Sequence, residues 1–182
     1  MKKIRNNDIL AFLILASVVI FALGCVGQSD YDTNKDVPPG EPAFPPQKVY
    51  GIVDPNHTLS KETVQESESI LEGLKKDGIA EVVVLIQTGV KNPEQYATRY
   101  GRFIGLGEKG KNNGLVWLIR PDVEPEKFRI TYSVGRGLPK LTSSDLGDIM
   151  EGVADPINFG NYDLGVLNLV KGTDKKLRQI YR

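Results

Sequence analysis

With 40% apolar and 25% charged residues, a chain of 182 residues fits one ordinary globular domain plus an additional segment at one end. Lysines and arginines balance aspartates and glutamates at 23 each, and no basic cluster stands in the globular part, so the chain lacks the electrostatic footprint that nucleic-acid binding requires. Its single cysteine, Cys25, excludes a disulfide framework and a cysteine-based metal site.

The first element is hydrophobic. Lys2, Lys3 and Arg5 precede Ile9 to Leu23, a run in which only Ser17 is polar, and this is the layout of a secretory signal. The run ends in Ala22-Leu23-Gly24-Cys25, which resembles the lipobox of bacterial and archaeal lipoproteins, with Ala22 and Leu23 in the reverse of the usual order. Residues 1–24 are therefore expected to be a signal peptide, with Cys25 as the lipidated residue. The alternative is an uncleaved anchor, a single tilted helix from Ile9 to Gly27. Both readings put the basic N-terminus in the cytoplasm and the rest of the chain outside it. Residues 25–47 then carry Pro38, Pro39, Pro42, Pro45 and Pro46 among acidic residues, and are expected to form an extended tether.

From residue 48 to 182 the periodicities are those of a folded domain. Lys48 to Asp54 reads as a short strand closed by Pro55. Ser60 is a good N-cap for a helix over 61–77, with Val64, Leu71 and Leu74 on one face and Gly78 as the stop. The β-branched run Val82 to Ile86 reads as a strand buried on both faces, as in a parallel sheet. Asn92, Pro93 and Gln95 open a second helix in a capping-box arrangement. Gly114 to Arg120 and Phe128 to Val134 are two strands expected to form a hairpin. Thr142 and Asp145 start a third helix, with Leu146, Ile149, Met150 and Val153 on its apolar face and Pro156 at its expected end. The last helix is expected from Tyr162 to about Gln179, with Lys175, Lys176 and Arg178 near its C-terminal end. Four helices and a mixed sheet of about four strands, with βαβ order at the start, predict a three-layer α/β/α sandwich.

Five segments in register carry a family resemblance: Val53-Asp54-Pro55 followed by Leu59-Ser60; Glu94 to Tyr100; Ile104 to Ile119; Val134 to Asp145; and Asp155 to Val166. Together they resemble the TPM domain, the family named after a thylakoid-lumen phosphatase, a photosystem II repair protein and a nematode acetylcholine-receptor modulator. The resemblance implies an extracytoplasmic, membrane-attached domain, in agreement with the N-terminus. It also implies acidic residues at the strand ends that hold calcium or serve an acid phosphatase. At two of those positions this chain has amides, Asn112 and Asn161, where the family usually has aspartates. Each change removes a unit of negative charge from a metal site and a carboxylate from any nucleophile or base role. The metal set implied is thus Asp54, Asn112, Asn161 and Asp163, holding calcium weakly if at all.

Each of these residues also has a plain local role. Asp54 starts a turn, Asp163 sits favourably in the first turn of a helix, and Asn112, Asn113 and Gly114 suit a tight turn. Arg136, between Gly135 and Gly137, is either a solvated loop cation or a group offered to an anion. His57 stands in a polar loop with no partners for a nucleophilic triad, and Trp117 lies mid-strand as a core residue. The first reading of function is a tethered, non-catalytic module that binds or assists a membrane-protein partner. The alternative is a divalent-metal-dependent phosphatase. A clustered acidic pocket would favour the second.

Overall fold

A computed structural model describes residues 36–45, 48, 50–124 and 128–182. The hydrophobic segment and Cys25 lie outside the described residues, and no helix within those residues is long and apolar enough to cross a membrane. The elements are β1 (Gly51–Val53), α1 (Lys61–Lys76), β2 (Glu81–Ile86), α2 (Pro93–Phe103), β3 (Gly114–Ile119), β4 (Ile130–Val134), α3 (Ser143–Asn158) and α4 (Tyr162–Tyr181). They form a three-layer α/β/α arrangement around one mixed sheet in the order β1-β2-β3-β4. β1, β2 and β3 are parallel, and β4 runs antiparallel to β3 as the expected hairpin.

The apolar run of β2 is buried along its whole length, as is β3, because helices cover both faces. Ile52, Val82, Val84, Leu115 and Trp117 point into a core shared with α1, α3 and α4. Val53, Val83, Leu85, Val116 and Leu118 point the other way, onto α2. Trp117 is a core residue, as expected; its indole N–H donates to Thr173 Oγ1 at 3.1 Å and its ring meets Tyr132 edge-on.

Three expectations are corrected by contacts between distant parts of the chain. The segment 36–45, expected as tether, is partly core: Phe44 is buried against Tyr96, Tyr100 and Phe103. Asn92 does not cap α2 with its side chain. Glu41 from that same segment accepts instead from the N–H groups of Lys91 and Asn92, at 2.9 and 2.8 Å. Finally, α3 does not stop at Pro156 but runs to Asn158. The missing proline N–H costs one helical bond, while Val153 and Ile157 stay buried and Arg129 Nη1 donates to the terminal carbonyls of Ile157 and Asn158 at 3.1 and 3.4 Å.

At the start of α3 the capping box forms in both directions between Thr142 and Asp145. The Asp145 carboxyl is held down to about 2, first by the Thr142 hydroxyl, then by the Thr142 N–H and Lys176. Asp77 is also lowered, by Arg178 and Arg182. For Glu41, desolvation raises the value, but the N–H groups of Lys91 and Asn92 and the Asn92 amide outweigh it. A carboxyl whose folded pKa is depressed contributes stability above its unfolded value and loses that contribution as pH falls through the folded value. Stability should therefore be flat above about pH 5 and fall between roughly pH 4 and 2, given an unperturbed aspartate near 3.9. Denaturant unfolding followed from pH 7 to 2 checks this. A midpoint that stayed constant down to pH 2 would show that these carboxylates are unpaired in solution.

Candidate functional site

The parallel order of β1, β2 and β3 decides which candidate residues can meet. Asp54 follows β1, at the C-terminal edge of the sheet, where its Oδ2 accepts from the Leu59 N–H at 2.8 Å and closes the loop into α1. Asp163, in the first turn of α4, accepts at Oδ1 from both the N–H and the hydroxyl of Ser60, each at 2.9 Å. Ser60 is itself the N-cap of α1, its Oγ accepting from the Thr63 N–H at 3.2 Å. Two consecutive N–H groups, those of Leu59 and Ser60, thus draw Asp54 and Asp163 to one corner. The Ser60 N–H is the main cause of a lowered Asp163 pKa, so this carboxylate is ionised at neutral pH. The remaining oxygen of Asp54, Oδ1, is buried without a hydrogen-bond partner. Asn161 lies at the same helix end as its N-cap, its side-chain oxygen accepting from the Leu164 N–H at 3.3 Å.

Asn112 stands at the opposite edge. It precedes β3, whose first residue Gly114 pairs with Glu81 at the start of β2, whereas Asp54 follows Val53, which pairs with Leu85 near the end of β2. A six-residue strand spans about 20 Å, so Asn112 does not meet the other three candidates. Its φ of 54° fits the turn reading, and its carbonyl accepts from the Gly137 N–H at 3.0 Å. Among the described residues, no group of three or more histidine, cysteine, aspartate or glutamate side chains is placed to hold a metal ion. His57 is exposed in the loop after β1, with a φ of 53°.

The edge that carries Asn112 holds a cleft of about 550 Å³ between α2, the loop after it and the end of β4. Its walls are built by short-range constraints. Glu81 accepts from the Gly107 N–H at 2.8 Å, and buried Asn113 accepts from the Glu108 N–H at 2.9 Å while donating to the Ile79 carbonyl. These bonds fix the glycine-rich loop. Gly135 and Gly137 press against the Lys111-Asn112 backbone: a Cβ on Gly135 would lie 2.1 Å from the Asn112 carbonyl oxygen, and one on Gly137 would lie 1.9 Å from that of Lys111. Arg136 is thereby pinned between two backbone contacts at the cleft. Thr98 and Ser133 join α2 to β4 across the floor at 3.0 Å.

The lining includes Arg102 and Arg136 and no carboxylate, histidine or cysteine. Among the described residues neither guanidinium has an acidic partner. Such a cleft can bind an anionic or hydrogen-bonding group, and its hydroxyls, Thr98 and Ser133, have no histidine or carboxylate in the lining to act as a base beside them. The sequence signalled Arg136 through its flanking glycines. Arg102 was not singled out, because it reads as an ordinary polar position of an amphipathic helix.

A family model described as the TPM domain matches residues 52–176. Among solved structures, the chain is similar to the N-terminal domain of a P. gingivalis protein solved by NMR, with a TM-score of 0.54 and 20% identity over 72% of this chain and 86% of that one. It is also similar to the N-terminal domain of a protein from Corynebacterium glutamicum, with a TM-score of 0.53 and 13% identity over 75% of this chain and 86% of that one. At these identities the likeness is one of fold. A comparison with curated proteins finds no match.

Proposed function

Because the chain belongs to the TPM domain family, we propose that it is a membrane-tethered, extracytoplasmic binding module, without catalytic activity of its own, that serves a membrane-protein partner. One observation carries this reading: Asp54 and Asp163 share one corner and already accept backbone N–H groups, Asn112 stands at the opposite sheet edge, and no carboxylate lines the cleft there. The tether rests on the N-terminal sequence, with either a lipid on Cys25 or an uncleaved hydrophobic anchor holding the chain to the membrane. A calcium ion at the Asp54 corner would find two carboxylates and an amide, which supports weak binding at most.

The phosphatase alternative is tested on membranes carrying the full chain. Turnover of p-nitrophenyl phosphate with calcium or magnesium should not exceed that of membranes without it, and Asp54→Asn should change nothing. Mass spectrometry of the same fraction should find the chain starting at a lipidated Cys25; an intact chain from Met1 would identify the uncleaved anchor. Turnover that disappears with Asp54→Asn would replace the binding reading with the enzyme.

A further inference from the structure

β4 is one of the two outer strands of the sheet, and the direction of its free hydrogen-bonding groups follows from its register. The Arg120 N–H donates to the Arg129 carbonyl and the Gly135 N–H to the Gly114 carbonyl, both at 2.8 Å. In an antiparallel ladder such hydrogen-bonded pairs alternate, so Thr131 and Ser133 face Leu118 and Val116 with their backbone groups. Ile130, Tyr132 and Val134 therefore turn their N–H and C=O groups away from β3. Among the described residues no side chain or backbone group meets them. Natural sheets blunt such edges with lysine, proline, a bulge or a covering element, and Ile-Thr-Tyr-Ser-Val contains none of these residues.

A groove flanks this edge on each face of the sheet. On the α2 face is the cleft with Arg102 and Arg136, its floor reaching Ser133 and Val134. On the α3 face is a second groove of about 330 Å³, lined by Phe128, Ile130, Gly147, Met150 and Ala154 together with the polar Arg129, Glu151 and Asn158. Phe128 is 80% exposed at its rim, and a Cβ on Gly147 would meet nothing within 4 Å, so the groove is open, with an apolar strip along it. Successive side chains of a strand point to opposite faces, so a strand added beside β4 would send alternate residues into the two grooves.

We propose that the β4 edge is the docking site for an extended segment of the membrane-protein partner, which joins the sheet as a fifth strand. Its apolar side chains enter the α3 groove, and its alternate acidic side chains enter the cleft beside Arg102 and Arg136. Main-chain hydrogen bonds to Ile130, Tyr132 and Val134 supply affinity, and the two grooves supply specificity. A second copy of this chain fits less well, for its own β4 would offer only Thr131 and Ser133 to the arginines and leave all of them without a countercharge. The inference deepens the binding-module reading and rests on it.

The probe is an acetylated, amidated (Glu-Val)₄ peptide titrated into the isotopically labelled full-length chain in detergent micelles, with (Lys-Val)₄ as control. The Glu peptide should shift the amide signals of Ile130, Tyr132, Val134 and Arg136 and the methyl of Met150, and the Lys peptide should not. Val134→Pro removes an outward N–H from an edge position where proline is tolerated, and should weaken binding about tenfold or more. Gly147→Leu fills the α3 groove from an open helical position and should weaken it by about the same factor. Arg102→Glu with Arg136→Glu should invert the preference between the two peptides. Absence of shifts with about 1 mM peptide, at the weak limit of specific recognition, would overturn the proposal. So would shifts that survive Val134→Pro and Gly147→Leu, or edge signals already lost through concentration-dependent dimerisation without peptide. Failure here, with phosphatase turnover absent, leaves the binding-module reading standing and removes only this surface.

Discussion

Replacing Phe44 with alanine is expected to destabilise the domain by about 3 kcal/mol, in the range of buried Phe→Ala substitutions. Phe44 is only 6% exposed, and its ring centroid lies 5.0 Å from that of Tyr96, 5.1 Å from Phe103 and 5.5 Å from Tyr100. Those three residues belong to α2, so truncation leaves a cavity that one rigid helix cannot easily close. The Tyr96 hydroxyl also donates to the Ala43 carbonyl at 3.2 Å, which ties the segment down beside the ring. Denaturant unfolding measures the effect. A chain truncated to begin at residue 48 should lose at least as much, because it also loses the Glu41 carboxylate over Lys91 and Asn92, whereas one beginning at residue 36 should retain the stability of the longer chain. Equal stability of the two truncated chains would mean that the proline-rich segment does not pack on α2.

Gly137→Ala should be nearly as damaging, although it adds a single methyl group. The new Cβ would stand 1.9 Å from the Lys111 carbonyl oxygen and 2.9 Å from the carbonyl carbons of Lys111 and Asn112. All three are backbone atoms, so no flexible side chain can give way. The hydrogen bond from the Gly137 N–H to the Asn112 carbonyl would have to open, and with it the wall of the cleft. Overpacking typically costs about 1–3 kcal/mol, and a clash with backbone on every side falls toward the upper end. Gly152→Ala is the matched control: it lies inside α3 with nothing within 4 Å of its added Cβ, and it should stabilise by about 0.5–1 kcal/mol through helix propensity. If Gly137→Ala were neutral in urea unfolding, the close approach of the two loops would be wrong.

The parts of the fold that were legible in the sequence are those set by neighbours along the chain. The buried run of β2, the Ser60 cap of α1, the capping box of Thr142 and Asp145, and Trp117 as core all follow from local pattern. What was not legible depends on residues far apart in sequence. Glu41 reaches Lys91 and Asn92 and takes over the role expected of the Asn92 side chain, and Arg129 supports the end of α3 beyond Pro156. The turn roles of Asp54 and Asn112 are those the structure shows, whereas Asp163, in the first turn of α4, is engaged by Ser60 from a distant part of the chain. Their separation was in fact implicit in the predicted βαβ order: a residue that follows one parallel strand and a residue that precedes another must lie at opposite ends of the sheet. The cleft itself could not be read, because Arg102 and Arg136 come from separate elements and meet only through the packing of α2 on β3 and β4.

With Asn112 at the opposite sheet edge, Asp54, Asn112, Asn161 and Asp163 do not form one metal-dependent site. Calorimetric titration of the full-length chain with calcium, with Asn112→Asp and Asn161→Asp made singly and together, tests it most directly. The parent should bind calcium weakly or not at all, in the range of about 0.1–1 mM or weaker that low-charge extracellular sites show. The double variant should change affinity by no more than the two single variants combined, since Asn112 and Asn161 lie at opposite edges of the sheet. Micromolar binding by the parent would contradict the weak-binding expectation, and a gain in the double variant well beyond that of the two single changes would place all four residues around one ion.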